Sequence, residues 1–447
     1  MGISVRELIS DSDRQAEGMK LIADRVDAAA AVSLMDLSVE AECFGASIAV
    51  SQDEVPTVKG CVVSAPEEAE ALAVPPVGAG RTDVNIRAIG KAVRQISDRP
   101  VFAGMIGPYS LAGRLADVTE IMYYCYDEPE MVAVLLEKVT EFLIAYGKAY
   151  KEAGADGIML AEPLAGLLSP ELAEEFSAPY VKRIVEALQE DSFAIVYHNC
   201  GNCTIQMIDS ILDTGAAACH FGNAIDMTRM LPLIPEDILV MGNIDPAGQF
   251  RNGTPESIRE ATLELMRACG GYRNFLISSG CDIPPMSKWE NIDAFFVWGF
   301  MDSQETVSIS PEMFEEFIFP CYKKISESFG LLSYGCCEPV DPIWENCISR
   351  LENLRKVSIS PWCNEAYMGE RLRGSKIIYH RKPSPNYLGT GTLLDEEAFR
   401  THIRESLQAA KGCEMEITQR DVYTINKDIS KAKRYVDIIK EEIVNCW

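Results

Sequence analysis

His198 and Cys200 in the run FAIVYHNCGN, with Cys281 in FLISSGCDIPP, are the residues whose types and spacing best suit them to chemistry. One imidazole and two thiols make a soft N/S donor set, and such a set suits zinc. The competing reading is packing: in a chain with 15 cysteines many are simply small buried hydrophobes. An H-x-C pair alone supplies only two ligands. Position separates the readings. Each of the three residues follows a short apolar run that ends in Gly and polar residues, the pattern of a buried parallel strand entering a loop. The carboxyl ends of such strands are where the site residues of an α/β barrel collect.

Further strand-end polar residues are His220, Asn223, Asn243 and Asp245. His220, Asn243 and Asp245 are taken as catalytic candidates that orient substrate or a metal ligand. Asn and Asp after a strand also build turns by bonding the local backbone, which is the alternative for Asn243 and Asp245. His220 is one of only four histidines, and it falls on the same rim.

These side chains need a scaffold. Strand-like runs lie at 30–38, 101–107, 156–163, 193–201, 216–222, 238–245 and 275–282. Amphipathic helical stretches such as 127–154 and 254–270 alternate with them, the second capped by Thr254 with Pro255 in the first turn. Repeated β-then-α units predict a parallel sheet, and this many predict an α/β (β/α)8 TIM-barrel-like fold. The count is seven strands, so the barrel is expected to lack its first one.

LSPELAEEFSAPYVKRI (168–184) aligns with ISPEMFEEFIFPCYKKI (309–325), with nine of seventeen residues identical. VYHNCGN (196–202) is likewise followed by a counterpart, LSYGCCEP (332–339). The chain therefore reads as a barrel over 1–300 and a half-barrel of the same kind over 306–447, with strands at 331–337, 355–361, 376–382 and 414–421. The second copy lacks the donor set: Cys337 stands for Cys200, Gly335 for His198, and the last strand ends in Asp421. Vicinal Cys336 and Cys337 are read as packing residues.

At 447 residues two domains are expected, and 47% hydrophobic residues is ordinary for a globular chain. No apolar run reaches the length of a membrane span, and the N-terminus carries no secretory signal pattern. The expectation is a cytoplasmic protein with reduced thiols. A net charge of −26 repels phosphate backbones and anionic lipid, so neither nucleic acid nor membrane is an expected partner. GAGR at 78–81 lacks the spacing of a phosphate-cradling loop.

Residues 30–297 resemble the uroporphyrinogen decarboxylase superfamily, in its cobamide-dependent, methylcobamide:coenzyme M-like methyltransferase branch. The segments MDLSVEAECFG, RPVFAGMIGPYSLAGRL, YHNCGN, HFGNAIDM, MGNIDPAGQFRNGTPESI and ISSGCDIPP carry the resemblance. Residues 306–447 resemble the C-terminal half of a second uroporphyrinogen decarboxylase-like protein, through SISPEMFEEF, SYGCCEPVDPIWE and EITQRDVYTIN. The resemblance implies a TIM barrel with zinc on His198, Cys200 and Cys281, and Glu162 of AEP as a further ligand; a plain hydrogen-bonding role at the barrel mouth is the alternative for Glu162. It further implies methyl transfer between a corrinoid (methylcobamide) carried by a partner protein and a small thiol. The Arg-rich loop that holds porphyrinogen carboxylates in the decarboxylase has no counterpart before Asp36, which counts against tetrapyrrole decarboxylation. A non-catalytic corrinoid- or tetrapyrrole-binding barrel is the third reading. The open strand position would be covered by the C-terminal half or by a second chain in a homo-oligomer.

Overall fold

A computed structural model describes residues 1–447 apart from 27, 297, 303–307, 327, 328, 330, 336, 352, 392, 421, 423, 426 and 427. Cys336 and Asp421 thus lie outside the described residues. The chain divides into two compact units, Met1–Phe296 and Val297–Trp447.

The first unit holds β1 (Ala31–Val32), a β2–β3 hairpin (Ser47–Ala49 and Thr57–Lys59), β4 (Val101–Ile106), β5 (Gly157–Ala161), β6 (Ala194–Asn199), β7 (Ala218–Phe221), β8 (Leu239–Ile244) and β9 (Phe275–Ser279). Leaving the hairpin aside, these are the seven runs read from the sequence. They form one parallel sheet in the order β1-β4-β5-β6-β7-β8-β9. Apolar residues on both faces explain the burial. In β6, Ile195, Val196 and Tyr197 are all buried, because helices cover the outside and side chains fill the inside. The helix Ser12–Arg25 precedes β1, and the helix Trp289–Phe295 follows β9. Arg25 of the first pairs with Asp293 of the second at 2.9 Å and stacks over Trp289. Helices flanking the two end strands meet only if the sheet curls round on itself, as a barrel wall does.

Two runs are shorter than their patterns suggested. The expected strand 30–38 keeps only Ala31–Val32, because Asp36 accepts a hydrogen bond from the Ser38 amide and turns the chain into the helix Val39–Cys43. The expected helix 127–154 is Pro129–Glu152, and Asp127 instead ends a separate preceding helix, Glu120–Asp127. Pro129 has no N–H to give and pushes Glu128 out of the α region, to φ −137°. The helix Pro255–Cys269 starts as expected, with Thr254 and Ser257 in a reciprocal cap.

The second unit is a five-stranded parallel sheet: β10 (Trp298–Met301), β11 (Leu331–Tyr334), β12 (Leu354–Ile359), β13 (Ile378–Arg381) and β14 (Met415–Ile417), in that order. The boundary expected near 300 therefore moves back to 296, since β10 pairs with β11. β10 precedes ISPEMFEEF as β5 precedes LSPELAEEF, so the repeat spans five strands, β5–β9 and β10–β14. This unit has its own core, which includes Leu332, Val357, Ile359 and Tyr379. Arg381 is fully buried there and pairs with Glu365 at 2.5 Å. No helix among the described residues is long and apolar enough to cross a membrane.

Candidate metal centre

Parallel register sets the first two groups. His198 on β6 lies opposite His220 on β7, so their side chains share a level and a face of the sheet. After His198 the chain must turn at once. Buried Asn199 makes the turn: its Oδ1 accepts from the Gly201 amide and from Thr204 Oγ1, both at 2.9 Å, and its Nδ2 donates to the Tyr197 hydroxyl at 3.1 Å. That fold-back points Cys200 toward the loop after β9, where Cys281 follows Ser279 and Gly280.

The three donor atoms converge. The His198 Nε2, Cys200 and Cys281 donors lie within 4.8 Å of one another, with Nε2 at 3.7 Å from Cys281 Sγ. Ligand atoms on one tetrahedral zinc stand about 3.5–3.8 Å apart, given Zn–N near 2.0 Å and Zn–S near 2.3 Å. His198 is buried and both thiols are half-buried, so the cluster is anchored on the imidazole side and reachable at the sulfurs. A hydrogen bond from Cys281 pulls the Cys200 thiol down to about 7, and its role as donor pushes Cys281 up to about 12. The opposite shifts mark two thiols close enough to share one proton. Among the described residues this is the one cluster of three or more such donors. Nitrogen and sulfur donors at these separations fit zinc.

His220 is brought to the same place. It is buried, its ring centre is 4.7 Å from that of His198, and its Nδ1 is 2.7 Å from His198 Nδ1. Its Nε2 reaches the Ser279 carbonyl at 2.8 Å and Ser278 Oγ at 3.3 Å. Burial first, then the neighbouring His198, holds its imidazole down to about 3.

Glu162 is not brought into the donor cluster. Its carboxylate is fully buried and accepts the Tyr109 and Ser110 amides at 3.0 and 2.6 Å, in the first turn of the helix Pro108–Ala116. Burial pushes it up to about 7 despite those bonds. The structure therefore gives it the hydrogen-bonding role at the barrel mouth. Asn243 donates to the Gly222 and Ile225 carbonyls at 2.9 and 2.6 Å and so shapes the loop after β7. Asp245 accepts the Ala247 and Gly248 amides, both at 2.9 Å, and caps the turn after β8. Both carry the turn chemistry that was their alternative.

Two glycines went unnoticed in the sequence. A Cβ on Gly222 would stand 2.4 Å from Cys200 Cβ, and one on Gly280 would stand 2.6 Å from the Asn223 amide nitrogen. The bare backbone at these points lets the loops after β6, β7 and β9 close on one another. The strings HFGN and SSGC, each with Gly directly after a strand, were the available signal.

Comparison with known proteins agrees with this fold. A methyltransferase from Methanosarcina mazei superposes with a TM-score of 0.60 at 24% identity, over 66% of this chain and 86% of that one. The methylcobamide:CoM methyltransferase MtbA of Methanosarcina acetivorans is 32% identical over 262 residues, 58% of this chain and 75% of the relative. A uroporphyrinogen decarboxylase of Dichelobacter nodosus is 27% identical over 232 residues, 50% of this chain and 65% of the relative. The family profile described as uroporphyrinogen decarboxylase (URO-D) matches residues 1–299, two-thirds of the sequence, and the chain belongs to that family.

Proposed function

We propose that the first unit is a zinc-dependent methyltransferase that moves a methyl group between a corrinoid on a partner protein and a small thiol. The observation that carries this reading is the convergence of His198, Cys200 and Cys281 at the ends of β6 and β9. Three protein donors leave one tetrahedral position for a substrate sulfur. Bound there, zinc would supply the acidity that ionises a thiol near neutral pH, while the corrinoid would carry the methyl group.

The chain's own residues do the positioning. His198 would hold the metal from the buried side, and Cys200 and Cys281 would hold it from the open side. Two thiolates keep a bound sulfur electron-rich and so nucleophilic. Asn243 and Asp245 hold the loops that frame this rim, and Glu162 fixes the first turn of the neighbouring helix. Placement at the strand ends leaves the sulfurs accessible to a large partner.

The test is methyl transfer from methylcobalamin to a panel of thiols, with zinc measured in the same samples. Wild type should carry zinc and alkylate at least one thiol. Cys281→Ala should lose both properties, with activity down at least 10²-fold. A fully zinc-loaded and active Cys281→Ala protein would contradict the reading.

A further inference from the structure

We propose that His220 is a positioning residue for the metal: it locks His198 in the tautomer that presents the Nε2 lone pair to the thiols. The inference rests on the metal-site reading above and adds a residue to it. Hydrogen-bond polarity carries the argument. A backbone carbonyl can only accept, so the Ser279 carbonyl, 2.8 Å from His220 Nε2, places a proton on that nitrogen. The other partners of His220 are a histidine and a serine hydroxyl. The backbone carbonyl of His220, 3.2 Å from His198 Nδ1, likewise only accepts, so the proton between the two Nδ1 atoms belongs to His198 and the His220 Nδ1 is a lone pair.

That lone pair lies 2.7 Å from His198 Nδ1, and the backbone carbonyl of His220 lies 3.2 Å from the same atom. Both groups accept, and both belong to residue 220. His198 Nδ1 must then be the donor. A neutral imidazole with its proton on Nδ1 has its lone pair on Nε2, the atom 3.7 Å from Cys281 Sγ. The relay Ser279–His220–His198 also spans β9, β7 and β6. The strand that leads to Cys281 thus anchors the ring that orients the opposite ligand. Outer groups of this kind fix ring orientation and raise ligand basicity, and their loss typically weakens metal binding 10- to 100-fold.

Two measurements test it. The first is ¹⁵N NMR of the histidine rings in metal-free wild type. His198 should show its proton on Nδ1 and an unprotonated Nε2; a proton on Nε2 overturns the proposal. The second is zinc affinity by competition with a chelating dye. His220→Phe keeps the volume and removes the nearer, side-chain acceptor while the backbone carbonyl stays, and it should bind zinc about 10- to 100-fold more weakly than wild type. His220→Asn, whose Oδ1 can take the place of Nδ1, should recover affinity to within a few-fold. Equal affinity in wild type and His220→Phe overturns the proposal while leaving the metal site intact. An Asn variant as weak as Phe also overturns it. Should His220→Phe fail to fold, the wild-type tautomer and the Asn variant still decide. Wild type that takes up no zinc while His198 shows the Nδ1 proton would instead sink the metal-site reading and leave the tautomer lock standing.

Discussion

Cys200 sits beside His198 because residue 222 has no side chain. The Cβ of any other residue there would lie 2.4 Å from Cys200 Cβ and 2.5 Å from its Cα, and backbone cannot swing aside as a flexible side chain can. Gly222→Ala should therefore displace Cys200. Overpacking of this kind costs about 1–3 kcal/mol, which corresponds to a loss of roughly tenfold or more in zinc affinity if the strain falls on the ligand loop. Chelator competition on the variant checks this, and unchanged affinity would mean that the loop relaxes freely. The candidate ligands were legible in the sequence, since an H-x-C at one strand end and a Cys at another are unusual residues in a usual place. Glu162 shows where legibility stops. Its strand-end position was readable, but the direction of its carboxylate depends on the helix Pro108–Ala116, which is remote in sequence.

At the scale of elements, strand order followed from periodicity because both faces of the sheet are covered and every strand is a plain apolar run. Ends were less legible. Asp36 cuts β1 short through a turn bond, and the helix expected from residue 127 starts only at Pro129. β10 was missed because its run WGFM is brief; only its offset from ISPEMFEEF, compared with β5, marks it. The helix Val39–Cys43 carries a further consequence. Its Glu40 is buried, with Oε1 accepting the Ile106 amide at 3.2 Å and Oε2 without a hydrogen-bond partner among the described residues. Burial pushes the Glu40 carboxyl up from 4.5 to about 7. Between those values the native state keeps a proton that the unfolded chain has lost. Stability from this group is therefore full below pH 4.5 and falls as pH rises through about 7. Glu40→Gln should be neutral at pH 4 and should stabilise by about 3 kcal/mol at pH 8, read by urea denaturation at the two values. A variant less stable than wild type at pH 8 would show that the carboxylate is better solvated than its burial implies.

Over the whole molecule, the same five-strand pattern occurs twice, in β5–β9 and in β10–β14, yet only the first copy carries the donor set. Gly335 replaces His198, and Ser358, paired in register with His380, replaces His220. The second sheet has other groups there: Lys356 pairs with Glu416 at 2.8 Å, and Ser358 donates to the Gly335 carbonyl at 2.6 Å. The proposed metal chemistry therefore belongs to the first unit alone. X-ray absorption at the zinc edge tests this most directly, on protein of known metal content with and without added thiol. The account predicts one zinc per chain bound by two sulfurs, rising to three when thiol is added. A centre without sulfur ligands, or two zinc ions per chain, would contradict it.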